Sequence, residues 1–265
     1  MIKFQNFIQE RLKNNEFCYE EFFTYFSQTS DLPVYTYKIQ KGQPFYRARI
    51  NETFSNYENF KDLSYPPENV LLKYGRANKP LQSVLYLSDK WKTNLAELKL
   101  FLINKISSGD IIWITQAEWI ATEIITVTMI PDFENKKMKD FIDKFVRNMT
   151  ENKINFLKII NKYFNDNIAN DNGITYQLTS AFCNAMISES IRKNNKTDGI
   201  LYSSVQDITG FNFALNRSVI DDKKLILNSV VKHYLQKTEK RKINNCIPPI
   251  IPDSLDFQNE KIIWK

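Results

Sequence analysis

The order of predicted strands and helices is the sequence feature that most constrains the fold. Apolar, β-branched and aromatic runs of strand length are separated at irregular intervals by segments with helical, 3.6-residue periodicity. Because helices do not alternate regularly with strands, the pattern predicts an α+β fold and argues against a doubly wound parallel sheet. The predicted strands, of which 224–235 is the last, are 43–50, 83–88, 110–115, 123–130, 199–205, 214–220 and 224–235.

The domain organisation follows from the same pattern. A helical preface at 1–30 ends in a polar segment that contains a proline, a helix breaker. The main domain is predicted at 31–235, with a helical insertion at about 133–195. The C-terminal tail, 236–265, contains three prolines and is expected to be extended or irregular. The predicted helices after the preface are 91–105, 136–170 and 174–195.

The cysteine and histidine content excludes several kinds of site. The scattered cysteines, Cys18, Cys183 and Cys246, form neither a disulfide framework nor a zinc motif. The single histidine, His233, cannot build a two-histidine zinc site, and we expect it near the surface, on a strand or helix. We therefore expect no metal, and chemistry that does not use histidine.

Charge and hydropathy bear on location and partners. No run approaches the roughly 18 apolar residues of a membrane span, and the charged N-terminus does not resemble a signal peptide. We therefore expect a cytoplasmic protein with no membrane partner. The net charge is +6, but the lysines are dispersed, and the dense run Lys237–Lys242 is expected to be a solvated segment. The six glycines form no phosphate-binding fingerprint.

Two arginines lie on the predicted strand 43–50. Arg47 and Arg49 are two residues apart and therefore share one face of that strand. Either they point to solvent, or they form a cluster for a pyrophosphate or carboxylate group, which the planar guanidinium matches well.

Three polar residues follow in a turn, a strand and a helix: Arg76, Tyr86 and Glu97. The helical neighbours of Glu97 at i±3 and i±4 are Thr, Asn, Leu and Phe, so the usual surface ion pair of a helical glutamate is absent. Because the helix is apolar on more than one side, we expect this carboxylate to be half-buried, although an exposed boundary position is the alternative.

A third segment, DGILYSSVQDITGFNFAL, places Ser203, Ser204 and Asn212 at or after the end of an apolar strand. Such residues hydrogen-bond a ribose or an amide, or else serve as ordinary turn residues.

Together, FYRAR, GRANKP…SVLYLSDKWKTNLAELK and DGILYSSV…GFNFAL resemble the RES-domain family, which is named for Arg, Glu and Ser. The matching motifs lie between 43 and 219. On this resemblance Arg76, Tyr86 and Glu97 correspond to the family's catalytic positions. Arg47, Asn78, Ser203, Ser204 and Asn212 correspond to substrate-binding positions, with Ser203 standing where the family often has proline.

The resemblance implies an ADP-ribosyltransferase-like split β-sheet around an NAD cleft. It implies a toxin of a toxin–antitoxin pair that degrades NAD by hydrolysis or phosphorolysis, with NAD as substrate and a helix-turn-helix, Xre-like antitoxin as partner. Three alternatives stay open: ADP-ribosyl transfer to a macromolecule, a basic nucleic-acid-binding protein using 136–170 and Lys237–Lys242, and an inactive scaffold. A homo-oligomer is compatible with the sequence, and direct nucleic-acid binding is not the favoured reading.

Overall fold

The fold is seen in a computed structural model. The strands and helices below are numbered in chain order. The strands are β1 Tyr35–Ile39, β2 Pro44–Ile50, β3 Val84–Ser88, β4 Ile111–Ala121, β5 Ile125–Met129, β6 Gly199–Ser203, β7 Phe211–Asn216, β8 Leu225–Glu239, β9 Lys242–Ile250, β10 Ser254–Asp256 and β11 Lys261–Ile263. The helices are α1 Tyr19–Gln28, α2 Trp91–Ile103, α3 Lys139–Val146, α4 Glu151–Asn165, α5 Ile174–Arg192 and the single turn α6 Ser218–Asp221. The structure describes residues 6–8, 10–11, 19–29, 32–51, 54–103, 105–165, 173–194, 196–239 and 242–264.

Nine strands form one mixed sheet in the order β1-β5-β6-β7-β3-β2-β4-β8-β9. Its two halves meet between β3 and β2, which share the single residue pair Tyr46–Ser88, whereas β3 pairs with β7 and β2 with β4 along their lengths. The sheet is therefore split at this point into a five-stranded and a four-stranded half. The predicted α+β fold with a split sheet is confirmed.

Alternation along the strands gives each face of the sheet its own core. On β3 and β7, Tyr86 and Ala214 pack on the side covered by α1, α4 and α5. Leu87 and Phe213 point to the opposite side, where they join the core formed with Phe45. Helix α2 covers the other half of the sheet through a third, smaller cluster. Packing on the four-stranded half of the sheet thus positions α2, the helix that carries Glu97.

Several strand predictions need correction. Strand β1 was not predicted, and β7 lies at Phe211–Asn216 rather than at 214–220. At this edge β3 pairs as far as Asn216 and β6 as far as Leu215, so the chain leaves the sheet there and turns into α6. The range 224–235 is not the last strand: β8 continues to Glu239 and pairs with β9 in a long hairpin. The predicted irregular tail therefore contains β9, β10 and β11.

Edge position explains how the proline-rich tail can form a strand. Strand β9 contains Pro248 and Pro249 and pairs with β8 alone within the main sheet. A proline on an edge strand loses no hydrogen bond as long as its nitrogen faces away from the partner strand.

The predicted helices are largely confirmed, with one division. The predicted segment 136–170 contains two helices, α3 and α4, and residues 166–170 lie outside the described part. Helices α2 and α5 lie within their predicted ranges. Within the predicted preface, α1 and residues 6–8 and 10–11 are helical, while Cys18 lies outside the described residues.

Two residues expected at the surface are buried. His233 is on β8 and only 8% exposed, and its Nε2 has no hydrogen-bond partner among the described residues. It pairs with Ile114 in the sheet, so its side chain packs inside, and the prediction of a surface position is wrong. Lys237, in the run expected to be solvated, is buried, and its ammonium donates to the carbonyl of Ile106. Cys183 is a buried free thiol.

Candidate active site

Glu97 is the centre of a buried hydrogen-bond arrangement on one face of the sheet. Its Oε1 accepts hydrogen bonds from Ser204 Oγ at 2.6 Å and from Asn212 Nδ2 at 2.8 Å. Ser88 Oγ in turn donates to Asn212 Oδ1 at 2.8 Å, which fixes the orientation of that amide. Glu97 itself is half-buried, one of the two alternatives for this position, and it has no ion-pair partner among the described residues. The carboxylate is thus held by neutral donors, and its charge is not neutralised by a bound cationic side chain.

Ser204 is completely engaged by the protein. Its hydroxyl donates to Glu97 and accepts from the backbone amides of Gln206 and Asp207, at 3.2 and 3.0 Å. A serine hydroxyl has one donor and two acceptor positions, so none remains for a substrate. This arrangement favours a role in positioning Glu97, whereas the predicted contact of Ser204 with substrate stays a prediction.

The loop after Ser204 is built against α2. Thr93 Oγ1 donates to Asp207 Oδ2 at 2.6 Å, and Lys90 Nζ donates to the Thr209 side-chain oxygen at 3.1 Å. A Cβ at Gly210 would lie 2.2 Å from Thr93 Oγ1, so a side chain cannot be accommodated there. The loop and the helix that carries Glu97 therefore form one unit.

Tyr86 organises the turn that carries Arg76. Its hydroxyl accepts a hydrogen bond from the amide of Ala77 at 2.9 Å and donates to Asn78 Oδ1 at 2.8 Å. A Cβ at Gly75 would lie 2.3 Å from Asn78 Oδ1, which explains why glycine precedes Arg76. Burial raises the pKa of Tyr86 well above its usual value, so its hydroxyl is neutral. Tyr86 and the buried Asn78 thus fix the turn, and direct contact of either with substrate stays a prediction.

Arg76 lies between the turn and the helices of the insertion. Its Nη1 donates to the carbonyl of Phe164 at the end of α4, and its guanidinium lies 5.8 Å from the ring centroid of Tyr176. The carbonyl of Arg76 itself lies 3.9 Å from the buried Sγ of Cys183. The backbone and the side chain of Arg76 are therefore both fixed.

Tyr202 connects these residues and was missed by the sequence analysis. It lies on β6, 6% exposed, beside Asn212 on β7. Burial raises its pKa well above the usual value, and the charges of Arg76 and Glu97 and the phenol of Tyr86 all influence it. Tyr202 lies on the same face of the sheet as Asn212 and Tyr86, so it belongs to the surroundings of Arg76, Tyr86 and Glu97. A tyrosine inside an apolar strand looks like core from sequence, so no local signal separated it.

Arg47 lies at the split in the sheet. Its Nη1 is 3.4 Å from the carbonyl of Tyr86, so its side chain bridges the gap that opens between β2 and β3. Its Nε is buried and has no partner among the described residues. Burial and the neighbouring charge of Arg49 lower the pKa of Arg47 to about 10, which still leaves it protonated at neutral pH. Its side chain is half-buried and its Nε has no partner among the described residues, so the guanidinium has donor capacity left for an anion.

Arg49 shares this face, as predicted, but has its own partners. It donates to the carbonyl of Asp62 and lies 5.2 Å from the ring of Tyr57. Arg49 therefore neither points to solvent nor forms an anion-binding cluster with Arg47.

Ser203 is separated from Ser204 by strand alternation. Its Oγ accepts from Asn135 Nδ2 at 2.9 Å and lies 3.9 Å from Met138 Sδ. Consecutive residues of a strand point to opposite faces, so Ser203 does not join Glu97. The structure therefore does not bring Ser203 together with Glu97, and the contact of Ser203 with substrate stays a prediction.

A cavity of about 260 Å³ opens on the same face as Ser203. Its walls include Tyr37, Phe141 and Phe211, with Asp89 and Lys137 among its polar residues. No predicted site residue lines it, so it is distinct from the arrangement around Glu97.

Charge, rather than acid–base chemistry, is what this site offers. Burial keeps the hydroxyls of Tyr86 and Tyr202 protonated, and the charged side chains that act on Tyr202 are those of Arg76 and Glu97. Within the described ranges, no group of three or more His, Cys, Asp or Glu side chains could hold a metal ion. No helix in the described part of the chain is long and apolar enough to cross a membrane. A carboxylate can stabilise a ribosyl cation, and a guanidinium can bind a pyrophosphate.

Comparison with known protein families gives one match. The family model for the RES domain matches residues 44–231. This range includes every predicted site residue and all strands from β2 to β7. No curated protein matches the sequence.

Proposed function

Because the chain belongs to the RES domain family, with 44–231 as the matched range, we propose that it consumes NAD by cleaving the bond between nicotinamide and ribose. The observation that carries the proposal is the Glu97 carboxylate, half-buried, held by Ser204 and Asn212, and free of any cationic partner among the described residues. A carboxylate neutralised by an ion pair would offer less charge to a developing cation.

The reaction needs little from the protein beyond this charge. When the C1′–N1 bond breaks, its electron pair goes to the nicotinamide ring, which leaves as a neutral molecule without a general acid. The remaining ribosyl group develops oxocarbenium-like positive charge, which a nearby carboxylate stabilises. A water or phosphate oxygen then bonds to C1′, and a water that attacks releases its proton to solvent. No histidine or metal is required at any step.

Binding of the substrate is assigned to the arginines. Arg76 is held by the Phe164 carbonyl, and the Phe164 ring packs on Tyr202, so this guanidinium is pre-organised on the side of Glu97. Arg47 lies at the split and shares the face of Phe45, so we propose it as a second pyrophosphate contact that reaches the substrate at the gap between β2 and β3. A pyrophosphate offers several acceptor oxygens, and charge-assisted hydrogen bonds to guanidinium are among the strongest in proteins. We assign Ser204 and Asn212 to the positioning of Glu97, and Tyr86 and Asn78 to the positioning of Arg76.

The biological setting is part of the proposal. We propose that the protein is the toxin of a toxin–antitoxin pair in the cytoplasm and that a helix-turn-helix antitoxin covers the site. The family relationship supports this setting, and the dispersed lysines of the sequence give no separate support to nucleic-acid binding.

Incubation of purified protein with NAD, with and without phosphate, tests the proposal. Chromatography should show release of nicotinamide, and phosphate dependence would separate phosphorolysis from hydrolysis. Adenylate-labelled NAD in a cell extract tests the alternative activity, ADP-ribosyl transfer to a macromolecule, because that activity would place label on protein or nucleic acid. Absence of nicotinamide release under all of these conditions would refute the proposed activity.

A further inference from the structure

The end of helix α4 is a binding point for Arg76. The Phe164 carbonyl, which accepts from the guanidinium, belongs to the last turn of this helix. Carbonyls in a last helical turn have no intrahelical partner, and they carry the negative end of the helix dipole. The helical insertion thus supplies an acceptor that matches the charge of a site residue more than 80 positions earlier in the chain.

Asp132 fixes this end of α4 at the sheet. Its Oδ1 accepts from Asn161 Nδ2 at 3.1 Å and from Asn165 Nδ2 at 3.4 Å, one turn further along the helix. Asp132 and Asn161 are 7% and 5% exposed, so these hydrogen bonds are shielded from water. The ring of Phe164 also packs against Tyr202, with centroids 5.9 Å apart. Position and orientation of the helix end are therefore both specified.

The first residues of the insertion contact the opposite face of the sheet, behind the end of β6. Asn135, 7% exposed, donates to Ser203 Oγ at 2.9 Å, and Lys137 Nζ donates to the carbonyl of Thr209 at 2.8 Å. These contacts hold the end of β6 and the loop 204–210, which presents Ser204 to Glu97. One continuous segment of chain thus reaches both Arg76 and the support of Glu97.

We propose that the helical insertion is a two-point brace that sets the position of Arg76 relative to Glu97, with Asn161 and Asn135 as its positioning residues. The kinetic part of the idea rests on the proposed function, since the brace would align the cation that binds NAD with the carboxylate that stabilises its cleavage. Neither asparagine touches substrate. Asn161 acts through Phe164 and Arg76, whereas Asn135 acts through Ser203 and the loop that carries Ser204.

Asn161→Leu tests the Arg76 arm, because leucine is close in size and cannot donate to Asp132. The matched control is Asn152→Leu, at an exposed position on the same helix. Hydrogen exchange should accelerate at 75–77, where the amides of Gly75 and Ala77 are hydrogen-bonded. Exchange in β4, in the other half of the sheet, should stay unchanged and shows that the variant is folded. The KM for NAD should rise about ten-fold with kcat nearly constant, because Arg76 acts in binding.

Asn135→Ala tests the Glu97 arm, with Asn148→Ala, an exposed asparagine of the insertion, as its control. Exchange should accelerate at 204–210, where the amide of Ser204 bonds to the Gly210 carbonyl at 3.0 Å. Here kcat should fall about ten-fold, since displacement of Glu97 weakens charge stabilisation in the transition state.

The two arms and the proposed function fail in different ways. If Asn161→Leu and Asn135→Ala match their controls in exchange at 75–77 and 204–210, the brace is refuted. Wild-type protein that releases no nicotinamide refutes the activity, and hydrogen exchange alone then decides whether the brace exists. If exchange is altered but both variants show the same change in KM and the same change in kcat, the separate assignment of the two arms is contradicted.

Discussion

Replacement of Tyr86 by phenylalanine removes one hydroxyl and tests whether the turn around Arg76 depends on it. The hydroxyl makes two hydrogen bonds, to the Ala77 amide at 2.9 Å and to Asn78 Oδ1 at 2.8 Å. A net contribution of about 1 kcal/mol for each bond gives about 2 kcal/mol. Ala77 is 3% exposed, so an amide left without a partner there adds about 1–2 kcal/mol. Tyr86→Phe should therefore lower the free energy of unfolding by about 3–4 kcal/mol.

Equilibrium unfolding in urea measures this loss. Tyr37→Phe is the matched control, because Tyr37 is half-buried and its hydroxyl makes no hydrogen bond to the described residues. This variant should lower the free energy of unfolding by less than about 0.5 kcal/mol. The denaturant slope should be the same in wild type and both variants, which shows that the transition is comparable. If Tyr86→Phe unfolds at the same urea concentration as Tyr37→Phe, the hydroxyl does not hold the turn, and our account of Gly75, Asn78 and Arg76 is wrong.

Further predictions concern buried charge and pH. Burial, with the charge of Lys99, lowers the pKa of His233 below its usual value, so the unfolded chain binds the proton more readily. The stability that neutral His233 provides is complete above its unfolded pKa and is lost as the pH falls below it. Urea unfolding between pH 7 and pH 5 should thus show a steeper loss in wild type than in His233→Leu, and equal slopes would contradict this. Lys224 and Asp198 form a buried ion pair at 2.6 Å. Lys224→Met should cost about 3–5 kcal/mol, because it strands a buried carboxylate. The matched control Lys139→Met, which breaks an exposed pair of the same length, should lose far less stability than Lys224→Met, and similar losses in the two variants would refute the argument.

The residues at the centre of the site were singled out by the joint family resemblance, since each local signal alone is weak. The lack of a basic neighbour on its own helix made a half-buried Glu97 plausible beside an exposed boundary position, and the structure shows it half-buried. The separation of Ser203 from Ser204 was also accessible from the sequence, since strand alternation places adjacent residues on opposite faces.

Other features depend on contacts between distant parts of the chain. Strand β9 is stabilised by pairing with β8, and nothing in its own proline-rich sequence predicts a strand. Burial of His233 depends on what packs against β8, and the role of Tyr202 depends on Arg76 and Glu97 reaching it from other elements. The contact from Arg76 to Phe164 spans 88 positions, so no motif could reveal it.

Nicotinamide release by Glu97→Gln is the most direct test of the central claim. A glutamine carbonyl oxygen in place of Oε1 can still accept from Ser204 and Asn212, so the variant loses the negative charge and keeps the arrangement. The account predicts that turnover falls about 100-fold or more, while Glu123→Gln, at an exposed position, keeps wild-type turnover. Wild-type turnover in Glu97→Gln would show that this carboxylate does not stabilise the transition state, and the proposed mechanism would be wrong.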